Sequence, residues 1–362
     1  MNIRQGLEIG TRHMTTKGEI TIINHYMEND TIYTTYILDD VEYTKKHSDV
    51  YKNIYYYLRK TNGTLPQRGM SSRRTRRIVA ETLNEVEYAR PLKFGIELEL
   101  CVRNKQELRE ELENAGVNVD SDSSDTHRVR QNAWKMVYDG SINSPSGYRG
   151  VELVSPPSCN FDDIKKVCDV LKKVGAKANS SCGFHVHHDI HEYKRKQIMR
   201  IYNFYNKFEK MIDKMHKSSR ANNEYAKPVS RIIDRVNSSE TKDQLLREVA
   251  GKGSSRYYNN IRYYKINLRS YLYYGTIEFR QAAGTIKYDE IVNWIDFTHK
   301  IIERGLEIGN DVVYPTTEEL RQWTDNPQSM QDALFNELHI NNTRISKHLT
   351  KRIKKTMRRM AA

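Results

Sequence analysis

Phe94-Gly95-Ile96-Glu97-Leu98-Glu99-Leu100 has the pattern of a β-strand with two unlike faces. Side chains alternate sides along an extended chain. Ile96, Leu98 and Leu100 therefore point one way, into a core, and Glu97 and Glu99 point the other way. Taken alone, such a strand fits a solvent-facing edge with two surface glutamates. Three further segments repeat the pattern. Val151-Glu152-Leu153-Val154-Ser155-Pro156-Pro157 is an apolar run with one glutamate, ended by prolines, and Asp139-Gly140-Ser141-Ile142 before it is a turn that would present Asp139 and Ser141. In Ser180-Ser181-Cys182-Gly183-Phe184-His185-Val186-His187-His188-Asp189, the residues His185, His187 and Asp189 share one face and Phe184, Val186 and His188 the other. In Thr276-Ile277-Glu278-Phe279-Arg280-Gln281-Ala282, Ile277 and Phe279 face the core while Glu278 and Arg280 lie opposite. The run Tyr264–Tyr271 is expected to pair with this last strand through a Tyr274-Gly275 turn.

Each segment is ordinary by itself, and the four together are not. If their polar faces converge, Glu97, Glu99, Glu152 and Glu278 crowd one another. Two carboxylates about 4 Å apart repel by roughly 4 kcal/mol at an effective dielectric near 20. Divalent cations relieve that repulsion, and oxygen ligands with an occasional imidazole suit Mg²⁺ or Mn²⁺.

The rest of the chain frames this region. It has 362 residues, 38% hydrophobic and 29% charged, with a net charge of +13. That length fits one large domain, alone or with a small one. No apolar run approaches the roughly 20 residues of a membrane span, and the start MNIRQGLEIGTRH lacks the apolar core of a secretory signal. Cys101, Cys159, Cys168 and Cys182 show no CxxC spacing, and a reducing cytoplasm is the expected compartment. Residues 1–60 have the composition of a small β-rich module, with strands at Glu19–Ile23, Thr31–Leu38 and Val41–Thr44 forming a small barrel or curled sheet. Residues 61–90 form a linker with a basic cluster, Ser71–Arg77, and a short helix over Val79–Tyr88. Residues 91–344 form the main domain, with helical periods at Asp162–Val174, Lys194–Met215 and Tyr288–Leu306. Residues 345–362 are a basic tail carrying Lys347, Lys351, Arg352, Lys354, Lys355, Arg358 and Arg359 and no acid. The tail suits a solvated end or an affinity for nucleic acid.

In order along the chain, FGIELEL, DGSI, GVELVSPP, NSSCGFHVHHD, KINLRSY and GTIEFRQAAGTI resemble the amidoligase family, over about Pro91 to Leu306. That family is a distant relative of glutamine synthetase and glutamate–cysteine ligase. The N-terminal module is faintly similar to small β domains of phage proteins, which would place the chain in a host cytoplasm. The resemblance implies an α+β fold: a glutamine-synthetase-like antiparallel half-barrel sheet with helices packed behind. It implies an ATP-dependent carboxylate–amine ligase that works through an acyl phosphate with Mg²⁺ or Mn²⁺. Glu97, His185 and Glu278 would hold the metal between the β- and γ-phosphates, and Glu99 and Glu152 the metal near the substrate carboxylate. His185 and Arg280 would meet the nucleotide phosphates. Glutamine synthetase has two ligands where this chain has Glu152 alone; Asp139 is a candidate for the missing ligand and for the catalytic base. The partners would be a carboxylate donor and an amine acceptor, on a peptide, protein or small metabolite.

Two other readings stay open. A metal-dependent nuclease or phosphohydrolase would use the same residues without ATP. A non-enzymatic nucleic-acid-binding protein would rely on charge and on the tyrosine-rich stretch Tyr257-Tyr258-Asn259-Asn260-Ile261-Arg262-Tyr263-Tyr264, whose rings could stack on bases or pack at a hairpin.

Overall fold

The computed structural model describes residues 12–15, 18–28, 31–38, 41–46, 48–50, 86–120, 132–157, 159–221, 223–253, 260–309 and 314–360. The chain divides into two units, Met1–Asn84 and Glu85–Ala362.

Among its described residues the first unit holds four strands, β1 (Arg12–Thr15), β2 (Gly18–Glu28), β3 (Thr31–Leu38) and β4 (Val41–Lys46). They form an open antiparallel sheet in the order β1-β2-β3-β4. Ile20, Ile22, Tyr36 and Leu38 build a small core with Val50. β1, four residues long, is too short for its alternation to stand out in the sequence. The basic cluster Ser71–Arg77 lies outside the described residues, as does most of the helix expected over Val79–Tyr88; its end, Val86–Tyr88, is not helical.

The second unit is built on an open six-stranded antiparallel sheet. Its strands are β5 (Phe94–Val102), β6 (Lys135–Val137), β7 (Arg149–Val154), β8 (Gly183–Asp189), β9 (Ile266–Asn267) and β10 (Thr276–Ala283), in the order β6-β7-β5-β8-β10-β9. Three of the helices pack on one face: α1 (Phe161–Lys173), α2 (Arg195–Lys214) and α3 (Tyr288–Glu307). Their apolar stripes, including Ile164, Val167 and Leu171 on α1, Ile198, Phe204 and Phe208 on α2, and Ile291, Ile295 and Ile301 on α3, form one cluster with Ile96, Leu98, Leu100, Val151, Leu153, Phe184, Val186, Ile277 and Phe279 of the sheet. α1 starts where Asn160 accepts a hydrogen bond from the Asp163 N–H, and it carries Lys172 and Lys173 in its last turn, both favourable ends.

Two expectations are corrected. The strand expected over Tyr264–Tyr271 is only Ile266–Asn267. The Ser270 hydroxyl donates to the Asn267 and Thr276 carbonyls, and the chain turns into a helical turn over Tyr271–Tyr274. That turn closes at Gly275, whose φ of 70° is left-handed and suited to glycine. The tail is not a loose end: Arg344–Met360 is a helix, α4. Ile345, Leu349 and Ile353, spaced by four, bury its inner side. Arg352 Nε donates to the Met215 carbonyl at 2.8 Å, at the negative end of α2.

Candidate active site

Antiparallel pairing sets residues of neighbouring strands side by side on the same face. Three rows cross the sheet. The central row runs Lys135–Val154–Glu97–His185, from β6 through β7 and β5 to β8. Beside it lies Val137–Glu152–Glu99. On the other side, Gly95 opposes His187, His187 opposes Glu278, and Glu278 opposes Asn267. The sequence-expected Glu97, Glu99, Glu152, His185 and Glu278 thus meet on the face away from the helices, and all are buried.

The contacts are close. His185 Nδ1 lies 2.9 Å from Glu97 Oε2 and 3.4 Å from Glu278 Oε1, and its Nε2 is 3.6 Å from Glu99 Oε1. His187 Nε2 lies 3.1 Å from Glu97 Oε1, and its Nδ1 is 3.0 Å from the Thr276 hydroxyl. Asn267 Nδ2 donates to Glu278 Oε2 at 2.5 Å, and Arg280 pairs with Glu278 Oε1. The Gly183 N–H donates to Glu99 Oε2. A Cβ at Gly183 would lie 2.8 Å from His185 Nε2 and 3.2 Å from Glu99 Oε2, so any larger residue would push into the cluster.

β10 carries a register shift between Phe279 and Ala282, so Arg280 and Gln281 both lie between the pairs that flank His185. A bulge re-aims side chains. Arg280 turns to the carboxylates, while Gln281 turns to the helices and donates to Asp213 Oδ1 at 2.5 Å. Arg220, 5% exposed, holds the bulge: Nε donates to the Gln281 carbonyl at 3.1 Å, and Nη2 to those of Arg280 and Ala282 at 3.0 Å each.

The electrostatics follow from this crowding. Burial opposes ionisation of Glu97, but the imidazoles of His187 and His185 outweigh it and hold its carboxyl well below the usual range. Glu278 is lowered against the same burial, mainly by Arg280 and then His187. Burial pushes His187 towards neutrality; Glu97 and Glu278 outweigh it and raise its pKa. Arg280 is raised against burial by Glu278, Glu97 and Glu99.

Among the described residues, two triads could hold a metal ion: Glu97, Glu152 and His185, and Glu97, His187 and Glu278; within each, one ligand atom per residue lies within 4.8 Å of the others. Glu97 belongs to both. A cavity of about 300 Å³ opens beside them, lined by Lys93, Phe94, Glu97, His187, Tyr274 and Thr276 among others. Asp139 belongs to neither triad; it lies just beyond β6, and its Oδ1 accepts the Ser141 N–H at 2.7 Å.

Sequence reasoning did not find Arg220, Lys135 or Asn267. Lys135 is fully buried, at the β6 end of the Glu97 row. It sits in a three-residue strand whose alternation carries almost no signal. Arg220 lies on a four-residue helix far along the chain from β10, and nothing local to it points to the sheet.

Residues 90–302 match the family described as "Putative amidoligase enzyme", and the chain belongs to that family. None of the curated proteins compared with the chain matches it.

Proposed function

We propose that the protein is an ATP-dependent carboxylate–amine ligase that forms an amide through an acyl phosphate, on a glutamine-synthetase-like sheet. One observation carries the reading beyond the family: the two triads share Glu97 and are built from carboxylates and imidazoles on one buried sheet face. This donor set fits Mg²⁺ or Mn²⁺. Glu97 would lie between two ions, with Glu152 and His185 completing one site and His187 and Glu278 the other. Glu99, beside His185, would orient that imidazole. When bound, the cations would screen the charge of phosphoryl oxygens and of the carboxylates themselves.

The side chains have distinct parts in this reading. Arg280, held by Glu278 and by the bulge, would stabilise charge on the transferring phosphoryl group. Asp139 Oδ2, the oxygen that Ser141 does not engage, would take the proton from the attacking amine. The cavity beside Glu97 and His187 would receive one substrate, with Phe94 and Tyr274 as its apolar walls. The phosphates would be held by side chains and ions, because the sequence has no GxxxxGK[ST] loop. The co-substrates would be a carboxylate donor and an amine acceptor on a peptide, protein or small metabolite.

The test is untargeted. The protein is incubated with Mg-ATP and a cell extract, and mass spectrometry searches for products lighter by one water than the sum of two components. Such products should vanish with Glu97→Ala or Glu278→Ala. ATP-dependent ligation that survives in both variants would remove the site from this role.

A further inference from the structure

The four-residue spacing that buries Ile345, Leu349 and Ile353 leaves the opposite side of α4 to solvent. That side is basic. At 3.6 residues per turn, Lys347, Lys351, Lys354 and Arg358 fall in one row, Lys355 and Arg359 lie about 80–120° round the helix to one side of it, and all six are exposed. None of the six pairs with an acid among the described residues. Two other cations of the helix do pair: Arg344 with Asp296, and Arg352 Nη1 with Glu290 Oε2 at 3.7 Å. The helix itself contains no acid.

We infer that α4 is a docking face for duplex nucleic acid, with this row lying along the phosphate backbone. Three considerations favour that partner. First, from Lys347 to Arg358 the row rises about 16 Å, which gives roughly one cation per 4–5 Å. Duplex DNA presents about one negative charge per 1.7 Å whatever its sequence. An extended acidic peptide turns alternate side chains to opposite sides, so it offers the row at most one charge per about 6.6–7.2 Å, too sparse to meet each cation. Second, a helix that lies in a membrane must submerge its apolar face, and here that face is packed on the protein's own core. Third, the packing of Ile345, Leu349 and Ile353 and the Arg352–Met215 hydrogen bond fix the row in place before any partner arrives. The face is remote in kind from the carboxylate cluster and goes beyond the ligase reading: it would bring the enzyme to nucleic acid without base-specific contacts.

The test is fluorescence anisotropy of a labelled duplex of about 30 base pairs, long enough to cover several helical turns, titrated with the full chain. Salt is varied between about 50 and 200 mM, a range over which six to ten phosphate contacts weaken binding by about 10³–10⁵. The wild-type protein should bind with a steep linear dependence of log affinity on log salt. Replacing Lys347, Lys351, Lys354, Lys355, Arg358 and Arg359 by Gln should flatten that slope by up to about 5, near 0.9 per lost contact. The melting temperature and Mn²⁺ binding should not change. An unchanged slope in the folded variant overturns the proposal. So does loss of binding on substituting only Arg73, Arg74, Arg76 and Arg77. Equal affinity for poly-glutamate or for phosphatidylserine vesicles at the same salt would overturn the choice of partner.

Discussion

The two faces of the six-stranded sheet are buried alike and filled with opposite chemistry. On one, Ile96, Leu98, Phe184, Val186, Ile277 and Phe279 are at most 1% exposed against the helices. On the other, Glu97, Glu99, Glu152, His185 and Glu278 are between 3% and 9% exposed. The same strands supply both, one residue apart. Burial of the first face stabilises the fold by roughly 25 cal/mol per Å² of apolar surface. Burial of the second works against it, because desolvated carboxylates repel. The fold tolerates the second face through His185, His187, Arg280 and Asn267, which meet the carboxylates in pairs. What the contrast teaches is that depth alone does not identify a core.

Several experiments would break or sharpen this contrast. The largest effect should come from exchanging one residue on each face. Glu97→Gln should lower ATP-dependent turnover by at least about 10³-fold while the protein still melts cooperatively. Phe279→Ala should cost about 3–5 kcal/mol of stability by denaturant titration. If Glu97→Gln unfolds the protein instead, the charged face is structural and the contrast fails. Next, Arg280→Ala should slow ATP consumption by about 10²–10³-fold, the usual cost of losing one charge-stabilising donor. Arg220→Met would strip the donor from three bulge carbonyls. It should lower stability by about 1–3 kcal/mol and slow turnover through the displaced Arg280.

Adding Mn²⁺ or Mg²⁺ at about 100 times its Kd should stabilise the wild-type protein by about 2.7 kcal/mol. A melt that ignores the ion, or a shift that persists in Glu97→Gln, would show that the carboxylates do not gather a metal. The smallest effect concerns His216. It is buried with both ring nitrogens unpartnered, edge-on to Trp294 at 4.7 Å. Burial foremost, with Arg352, Arg220 and Lys265 adding to it, holds its pKa well below the usual value. Below about pH 6.5 the unfolded chain therefore binds a proton that the folded chain refuses, and stability falls as pH falls. Each such group adds at most about 1.4 kcal/mol per pH unit to that slope. His216→Phe should make the decline between pH 6.5 and 5 shallower by up to that amount in pH-dependent melts; an equal slope would show that the imidazole protonates in the fold.

The alternation in FGIELEL, GVELV, GFHVHHD and TIEFR was enough to assign the two faces of four strands, and the 3.6-residue period placed α1, α2 and α3 within a residue or so of their ends. Both are local patterns written in consecutive residues. The helix at Arg344–Met360 is written in the four-residue spacing of Ile345, Leu349 and Ile353, a signal diluted by the seven Lys and Arg residues among them and after them. Strand β9 was overread because the Ser270 hydrogen bonds that divert the chain are tertiary.

The sequence by itself determined which side chains are carboxylate, imidazole or guanidinium and which face of its strand each occupies. Only the tertiary structure decided that Glu97 stands opposite His185 with Glu152 and Glu278 in reach, that Lys135 shares its row, and that Arg220 clasps the bulge beside Arg280. The physical reason is register. Alternation repeats every two residues and is fixed within a strand, whereas the partner opposite each residue is set by pairing between segments tens to hundreds of residues apart.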